Sequence, residues 1–444
     1  MIRLFKVSIP SSAVALVLSE AGLLFCCYLL AAWLVLDVPL EVFLFEQGGY
    51  WHIAFVMGII MAGLYFNDLY ENYRVGSRIR LIQQFCLVLG LLFLLQSALS
   101  YAGWGVLLPK WTMVYGSLLV LIVLPLWRIF FTTMLLKSLG GQKLLFLGSS
   151  PAMHDIIAHI SERPELGLAV LGYLDDAEDA GTDAPRLGSI AQLDEVIAER
   201  HPARIVISTE QPPQGLPVER LLNLRLGGLE IEEASATYEA IFRRVSTRDL
   251  PPPQLIFSNE MSPRVTNVAL QSAYSLLLAV MALVIALPVM AVVALIVKFI
   301  SPGPVIYRQQ CAGRNGALFS LYKFRSMQPG APITTVGKWL RKLRLDELPE
   351  LFNVVRGEMS IVGPRPERQE FVAVLEERIP YYRQRLSVKP GITGWAQINQ
   401  RDHDKIEDSI EKLEYDRYYI KNLSISLDAY IIFHTLKATL LGGR

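Results

Sequence analysis

Four stretches of the chain are apolar over a length that matches the hydrocarbon core of a bilayer, at about residues 12–36, 51–69, 81–103 and 112–135. A helix rises about 1.5 Å per residue, so roughly 20 apolar residues are needed to cross that core. These stretches constrain the fold more than any other feature, and they concentrate the 52% of hydrophobic residues in this chain of 444. We predict an α-helical bundle of four membrane spans over residues 1–140.

The charges in the connecting segments predict the orientation of the bundle. The first loop carries the acids Asp37, Glu41 and Glu46, whereas the N-terminus and the second loop carry the cations Arg3, Lys6, Arg74, Arg78 and Arg80. Cytoplasmic loops of membrane proteins are enriched in lysine and arginine. The N-terminus and everything after about residue 136 are therefore predicted to be cytoplasmic.

Other features of composition argue against several classes of function. The formal net charge is +1, which gives no indication of a nucleic-acid partner, and the four cysteines have no metal-ligand spacing.

Glu20 lies inside the first apolar stretch and suggests either a transport carboxylate or a bundle-facing residue. Because the sequence offers it no evident partner within the spans, the bundle-facing interpretation is favoured.

Residues 141–250 have the pattern of a small parallel α/β domain of Rossmann-like type. Apolar strands are predicted at Leu144–Gly148, Leu168–Leu174 and Ala203–Ser208, with helical segments between them. A dinucleotide site needs Gly-x-Gly-x-x-Gly after the first strand, but the turn here is Gly148-Ser-Ser-Pro-Ala. A regulatory or dimer-forming role is therefore favoured over cofactor binding. Pro251–Pro253 then opens a predicted linker over residues 251–270.

Residues 271–300 form a fifth apolar segment that is predicted either to cross the membrane or to return to the same face. No charged residue lies between Arg264 and Lys298, and both flanks are basic, so the positive-inside rule gives no drive for crossing. Pro288 lies near the middle of the segment and is able to bend a helix. The residues alone leave a re-entrant helix and a kinked fifth span equally open.

Two adjacent carboxylates, Asp346 and Glu347, precede Pro349 and an apolar run that ends at Gly357. Proline is tolerated in the first helical turn and glycine is favoured just past a helix end, so we predict a short helix that begins at the acid pair. Helix N-termini stabilise negative groups, and Arg341 adds a cation upstream. The pair is suited to phosphoryl chemistry, with a simple N-cap role for Asp346 as the alternative.

The C-terminal third, residues 301–444, is dense in cations, glycine and rigid turns. Its most distinctive segments are Ser301–Pro304, Arg308–Arg314, Tyr322–Met327, Met359–Glu367 and Lys389–Gln397. The prolines on either side of Arg365 fix the backbone that presents its guanidinium, as a bidentate phosphate clamp requires.

These motifs resemble those of the monotopic polyprenyl-phosphate phosphoglycosyl transferases, bacterial sugar transferases that start exopolysaccharide, O-antigen and glycoprotein glycan synthesis. The resemblance covers about residues 265–444, where Gly-Pro-Val-Ile-Tyr-Arg, Tyr-Lys-Phe-Arg-Ser-Met, Leu-Asp-Glu-Leu-Pro, Val-Gly-Pro-Arg-Pro, Pro-Gly-Ile-Thr-Gly-Trp-Ala-Gln and Tyr-Asp-Arg-Tyr-Tyr-Ile follow in the family's order. The preceding spans and α/β domain resemble the long subclass, which transfers hexose 1-phosphate and associates as homodimers.

The resemblance implies a two-step transfer. Asp346 would attack the sugar-bonded phosphate of a UDP-sugar and release UMP, and polyprenyl phosphate would then take the phosphosugar from the aspartate. Glu347 would assist Mg²⁺ binding or the approach of the acceptor. The resemblance also implies phosphate contacts for Arg341 and Arg365, with weaker assignments for Lys323 and Arg325.

The resemblance further implies a re-entrant helix that breaks at Pro288 and an active site at the cytoplasmic face of the bacterial inner membrane. This chain departs from the family's pattern at three positions. Leu287 replaces the serine that usually precedes the proline, Gln400 stands where glycine is usual, and Ser326 replaces the common threonine.

The combined prediction is a four-span α-helical bundle, a central Rossmann-like α/β domain and an α-rich catalytic domain with a re-entrant membrane helix. A transporter or receptor is the alternative, and it would require paired charges within the spans. An oxidoreductase is disfavoured by the absent glycine pattern. The C-terminal segment from Leu423 to Leu440 is predicted to pack on the protein, with His434 as a surface residue rather than a base. Glucose and galactose are both compatible with the sequence.

Overall fold

A computed structural model describes most of the chain. The described residues are 2–4, 7–9, 11–67, 69–70, 78–101, 108–132, 141–163, 166–176, 184–208, 216–247, 263–300, 303–326, 335–400 and 406–440. The predicted linker prolines Pro251–Pro253 and the loop cation Arg74 lie outside these residues.

The N-terminal region is a bundle of apolar helices that follows a short antiparallel hairpin. The hairpin strands are β1 (Ile2–Leu4) and β2 (Val7–Ile9), and the helices are α1 (Ser11–Val35), α2 (Gly49–Phe66), α3 (Arg78–Tyr101) and α4 (Lys110–Phe130). Each of the four predicted apolar stretches thus forms a helix. Five helices in the described residues, these four and a later one at residues 265–300, are long and apolar enough to cross a membrane.

A buried ion pair joins α1 to α4. Arg128 donates from Nε to Glu20 Oε1 at 2.5 Å and from Nη2 to Glu20 Oε2 at 2.9 Å. Its Nη1 donates to the Leu69 carbonyl at 3.0 Å, just beyond α2. Glu20 does face the bundle, but the expectation that it has no partner there was wrong, because α4 presents Arg128 to it.

The middle region contains a five-stranded parallel sheet in the order β5-β4-β3-β6-β7, which confirms the predicted α/β class. Its elements are β3 (Gln142–Leu147), α5 (Pro151–Glu162), β4 (Leu168–Leu174), β5 (Arg186–Gly188), α6 (Leu193–Arg200), β6 (Arg204–Ile207), α7 (Val218–Leu226), β7 (Glu230–Glu233) and α8 (Ala234–Phe242). Side chains alternate across a strand, so Leu144 and Phe146 of β3 join one core while Leu145 and Leu147 join the other. Helices therefore cover both faces of the sheet.

The fifth apolar helix, α9 (Val265–Ile300), runs through Pro288 without a change of secondary structure. One face of the helix packs against the C-terminal region at positions that repeat every three to four residues, namely Ala279, Leu283, Ala286, Met290, Val293 and Val297. The opposite side is exposed and apolar, with Ile285 and Phe299 among its most exposed residues. One side of α9 is therefore covered by protein on both sides of Pro288.

The C-terminal region combines short strands with helices around α9. Its elements are β8 (Ile306–Ala312), β9 (Leu318–Phe324), α10 (Thr335–Lys342), α11 (Glu350–Val355), β10 (Ser360–Val362), α12 (Gln369–Arg378), β11 (Gly391–Thr393), α13 (Trp395–Asn399), α14 (Ile406–Asn422) and α15 (Ile425–Leu440). Strands β8 and β9 form an antiparallel hairpin, and β10 pairs in parallel with β11.

The last helix, α15, connects the C-terminal region to the bundle. Lys437 donates from Nζ to the Tyr65 carbonyl at 2.8 Å, at the C-terminal end of α2. His434 hydrogen-bonds the Tyr65 hydroxyl, and Phe433 packs on Phe66 with ring centroids 5.4 Å apart. The predicted packing helix thus covers the end of α2, and His434 takes part in that contact.

Candidate active site

The acid pair lies in a tight turn rather than in the first turn of a helix. Arg344 adopts a left-handed conformation with φ 52°, and residues Leu345–Glu347 form a 3₁₀ turn. Helix α11 begins only at Glu350, after Pro349. The prediction of one helix starting at Asp346 was wrong, because Pro349 has no N–H to donate to the Leu345 carbonyl and the backbone closes with i→i−3 bonds instead.

Asp346 does not cap a helix, and its carboxylate lies among other charged groups. The N-cap residues of the turn and of α11 are Arg344 and Pro349, so the alternative N-cap role for Asp346 was wrong. Burial raises the pKa of Asp346, with a further upward contribution from Glu347, while Lys323 and Arg341 oppose the shift. In the described part of the chain, Asp346 makes no ion pair shorter than 4.0 Å. Its carboxylate is therefore close to cations without being bound by one.

Lys323 on β9 is held between two other carboxylates. Its Nζ lies 3.0 Å from Glu350 Oε1 and 3.6 Å from Glu347 Oε1. Burial alone disfavours the charged ammonium, but Glu350 and Glu347 outweigh it and raise the pKa of Lys323. The predicted assignment of Lys323 to the site thus gains a geometric basis, since its ammonium is in direct contact with the acid pair's second member.

Asn353 of α11 sets the distance between this helix and β9. Its Oδ1 accepts from the Tyr322 backbone N–H at 3.1 Å, and its Nδ2 donates to the Ser320 carbonyl at 2.8 Å. These bonds dock the helix beside the strand, so the side chains of Lys323 and Glu350 meet. The geometry of the site therefore depends on a fully buried amide.

Glu350 is the residue of the site that the sequence-based prediction missed. Its side chain is only 3% exposed, and burial, opposed by Lys323 and reinforced by Glu347, raises its pKa above the ordinary value for a glutamate. Its position was an available signal, since it follows Glu347 by three residues and Asp346 by four. Residues at that spacing lie on one face of a helix.

Arg341 reaches the site from the last turn of α10. Its Nε donates to Ser326 Oγ at 3.0 Å, which shows that serine at this position supplies the hydroxyl that threonine would. Arg341 is exposed, and its positive charge lowers the pKa of Asp346. The structure places Arg325 against Gly303, a turn residue with φ 122°, at the start of the β8–β9 hairpin.

The loop that presents Arg365 is fixed by backbone contacts with a second motif. Gly363 donates to the Thr393 carbonyl at 2.8 Å, and Gly391 donates to the Pro364 carbonyl at 3.0 Å. A Cβ atom at Gly363 or Gly391 would collide with the opposite backbone, so both positions require glycine. Arg385 Nη2 holds the Arg365 carbonyl at 3.0 Å. The Arg365 side chain is exposed, and its positive charge contributes a lowering of the pKa at both Lys323 and Glu350.

The acid pair has the donor set that Mg²⁺ takes in phosphate-binding sites. Mg²⁺ is held by one or two carboxylates together with substrate phosphates rather than by a complete protein cage. Consistent with that, the described residues contain no group of three or more metal-ligating side chains. Asp346 and Glu347 offer neighbouring carboxylates in a partly buried turn, where burial and the charge of Glu347 raise the pKa of Asp346. The chemistry of Glu347, the residue predicted to assist Mg²⁺ binding, therefore fits the ion, and its role stays a prediction.

The structure describes a protein with helices of membrane-spanning length and a C-terminal region that brings carboxylates and cations together. Residues 266–442 match the family model described as "Bacterial sugar transferase", and residues 65–208 match one described as "CoA-binding domain". The exopolysaccharide production protein PSS of Rhizobium leguminosarum is 35% identical over 197 residues, which cover 98% of that protein and 40% of this chain. The chain belongs to the bacterial sugar transferase family.

Two further relatives carry more specific names. The UDP-glucose:undecaprenyl-phosphate glucose-1-phosphate transferase of Escherichia coli K12 is 32% identical over 65% of this chain. The UDP-N-acetylgalactosamine-undecaprenyl-phosphate N-acetylgalactosaminephosphotransferase of Aeromonas hydrophila is 44% identical over 38% of it. The chain spans 66% of the length of the first relative and 43% of the second.

Proposed function

We propose that this protein transfers a hexose 1-phosphate from a UDP-sugar to undecaprenyl phosphate and releases UMP. The observation that carries the proposal is a carboxylate, Asp346, that makes no ion pair in the described structure although the nearby cations Lys323 and Arg341 lower its pKa. The names of the Escherichia coli and Aeromonas relatives support the same donor and acceptor classes. The reaction would be the first membrane step of exopolysaccharide or O-antigen synthesis.

In the first step, an Asp346 carboxylate oxygen attacks the phosphorus that carries the sugar. The bond between that phosphorus and the oxygen shared with the α-phosphate breaks, and UMP leaves with the bonding electrons. A carboxylate nucleophile divides one difficult substitution into two easier ones. The guanidinium groups of Arg341 and Arg365 stabilise charge on the phosphoryl oxygens, for which Arg365's exposed fork is suited.

In the second step, a phosphate oxygen of undecaprenyl phosphate attacks the same phosphorus. The phosphorus–oxygen bond to Asp346 breaks, and the carboxylate is restored as undecaprenyl diphosphate sugar forms. Glu347 would hold Mg²⁺ together with the substrate phosphates, and the ion when bound would neutralise charge on those phosphates. Glu347, half-buried and held by Lys323, keeps its carboxylate oriented toward this region.

The flanking charges and the central proline of α9 support a membrane helix that returns to its own face. The helix has 36 residues, about 54 Å at 1.5 Å per residue, whereas the hydrocarbon core is about 30 Å thick. Both flanks of α9 are basic, which gives no drive for crossing, and Pro288 is able to bend the helix. We therefore propose that α9 lies in one leaflet and bends at Pro288.

The contact between α15 and α2 supports a cytoplasmic position for the catalytic region. Lys437 contacts the end of α2 that leads into the second loop, where the sequence concentrates arginine. Arginine-rich loops remain in the cytoplasm. UDP-sugars are cytoplasmic compounds, so this placement in the inner membrane brings donor and lipid acceptor to the same surface. By the family resemblance, the protein acts as a homodimer, which light scattering in detergent would test.

Nucleotide release tests the proposed reaction. Protein purified in nanodiscs is mixed with Mg²⁺, undecaprenyl phosphate and a panel of UDP-glucose, UDP-galactose and UDP-N-acetylgalactosamine. UMP from one donor is the expected result, and it identifies the sugar at the same time. Release of UDP would mean ordinary glycosyl transfer and would contradict the role of Asp346, and an absence of both nucleotides across the panel would reject these donors.

A further inference from the structure

The ammonium of Lys323 lies near the carboxylates of Asp346, Glu347 and Glu350. Its closest partner is Glu350, which is four residues from the proposed nucleophile Asp346. Its shorter contact, 3.0 Å, is to Glu350, and its longer contact, 3.6 Å, is to Glu347. Glu350 is 3% exposed, whereas Asp346 and Glu347 are half-buried. The best-shielded carboxylate therefore holds the cation.

We propose that Glu350 is a positioning residue that anchors Lys323 and thereby keeps the Asp346 carboxylate out of an ion pair. This inference rests on the proposed role of Asp346 as the nucleophile. A lysine ammonium is a compact charge on a flexible four-carbon stem, so it moves to whichever carboxylate attracts it most strongly. Glu350 competes for that ammonium from a buried position, where a charge pair is stronger than at the surface.

Removal of the Glu350 charge would leave Lys323 with Glu347 and Asp346 as its partners. A carboxylate oxygen whose lone pairs accept hydrogen bonds from an ammonium is a weaker nucleophile than a free one. The charge balance of the site changes too, because three carboxylates, at 346, 347 and 350, now face the three cations Lys323, Arg341 and Arg365. Loss of one carboxylate leaves an excess cation beside the attacking oxygen.

The two contacts of Lys323 differ in length, and this difference suits two separate roles during turnover. The 3.0 Å contact to Glu350 keeps the stem in place, while the longer contact to Glu347 is the easier one to exchange. The ammonium is thereby able to turn from Glu347 toward a phosphoryl oxygen of the bound donor. Its anchor to Glu350 stays intact throughout.

A double-mutant cycle tests the coupling that this inference requires. Glu350→Gln is expected to slow the single-turnover release of UMP by about 10- to 100-fold, an effect of about 1.4–2.7 kcal/mol, while KM for the donor changes less than about threefold. In the Lys323→Met background, Glu350→Gln is expected to cause no further loss. Glu376→Gln is the matched control, since it removes a carboxylate charge that pairs with Arg383 rather than with Lys323. Equal losses in both backgrounds would overturn the inference.

Zero-length crosslinking with a carbodiimide tests the same anchoring without any activity. In wild-type protein, mass spectrometry should find Lys323 joined to Glu350 or Glu347, and in Glu350→Gln a new Lys323–Asp346 crosslink should appear. A Lys323–Asp346 crosslink in the wild type, or its absence from the variant, would overturn the inference. If the wild type releases no UMP with any donor, the proposed function fails, whereas the crosslinks still decide whether Glu350 anchors Lys323.

Discussion

Among the clusters of buried charged side chains in the described residues, two differ in whether every charge has a partner. In the N-terminal bundle, Glu20 and Arg128 are joined by two hydrogen bonds, and both side chains are at most 1% exposed. In the C-terminal region, Lys323 bridges Glu350 and Glu347, while the neighbouring Asp346 stays unpaired within the described structure. The first cluster is closed, and the second is open at one carboxylate.

The difference separates a structural ion pair from a chemical site. A transporter would require paired charges within the spans, and the bundle does contain such a pair. However, Arg128 also donates to the Leu69 carbonyl and stacks near Tyr70, so its donors are committed to holding three segments together. A carboxylate that lacks a partner, in contrast, is available to a substrate. The open cluster is therefore where we place the reaction.

Replacement of the open carboxylate should have the largest effect on activity. Asp346→Asn keeps the size of the side chain but removes the nucleophilic oxygen charge, so UMP release is expected to fall by at least about 1,000-fold. Radiolabelled sugar phosphate should no longer be trapped on the protein. Single-turnover assays with the UDP-sugar identified by the donor panel provide the measurement.

Asp346→Asn should not change the stability of the N-terminal bundle that contains Glu20 and Arg128. Membrane insertion and the thermal unfolding midpoint in nanodiscs are expected to match those of the wild type, because Asp346 is half-buried and makes no ion pair in the described residues. Full turnover by Asp346→Asn would remove this residue from the nucleophile role.

Replacement of one member of the Glu20–Arg128 pair should lower the stability of the protein while it preserves the activity of each folded molecule. Glu20→Gln leaves the Arg128 guanidinium buried without a counter-charge, which costs about 3–5 kcal/mol of stability. The loss is expected as a lower thermal unfolding midpoint in nanodiscs, with the rate of UMP release per folded molecule preserved at low temperature.

The double variant Glu20→Gln with Arg128→Met is the control for this effect. It removes both charges, so it should recover part of the stability that the single variant loses, because an unpaired buried charge costs more than an absent pair. A double variant with the summed loss of both single variants would show that the two residues stabilise the bundle independently.

The sequence predicts elements better than it predicts contacts between them. The apolar stretches and the alternating β/α pattern are local signals, and each gave a helix or strand near its predicted position. Glu20 and Arg128 are 108 positions apart, and their pairing depends on how α1 packs against α4. Hydropathy does not encode that packing, so the partner of Glu20 was missed.

The candidate site shows the same limit. The acid pair and the cations were predicted from motifs, but the 3₁₀ turn results from the backbone bond that Pro349 is unable to make. The anchor of Lys323 depends on Asn353, which docks α11 on β9 and so brings Glu350 to the lysine. A side chain that acts through the packing of two elements leaves only a weak signal in the sequence.

A smaller effect is expected from a change that preserves charge in the open cluster. Arg365→Lys keeps one positive charge but loses the planar fork that binds two phosphate oxygens at once. UMP release is expected to fall by about 10- to 30-fold in kcat/KM, close to 1.4–2 kcal/mol, with a rise in KM for the donor. Arg368→Lys is the matched control on the same loop, where the side chain packs over Phe371. Equal losses in the two variants would argue against a phosphate clamp at Arg365.

The smallest effect concerns the buried support behind Arg365. Asp416 Oδ2 accepts from Arg385 Nε at 3.0 Å, and burial, opposed by Arg385 and reinforced by Glu367, raises the pKa of Asp416 from 3.8 to about 6. A carboxyl with a raised pKa binds its proton more tightly in the folded state, so it adds stability as pH falls through about 6. Between pH 8 and pH 5 the wild type should gain about 1.4 kcal/mol relative to Asp416→Asn, which has no proton to bind at this position. The measurement is the thermal unfolding midpoint of the two proteins in nanodiscs across this pH range. The midpoint of the wild type should rise relative to that of Asp416→Asn as the pH falls. A constant difference between the two midpoints would show that Asp416 does not titrate there.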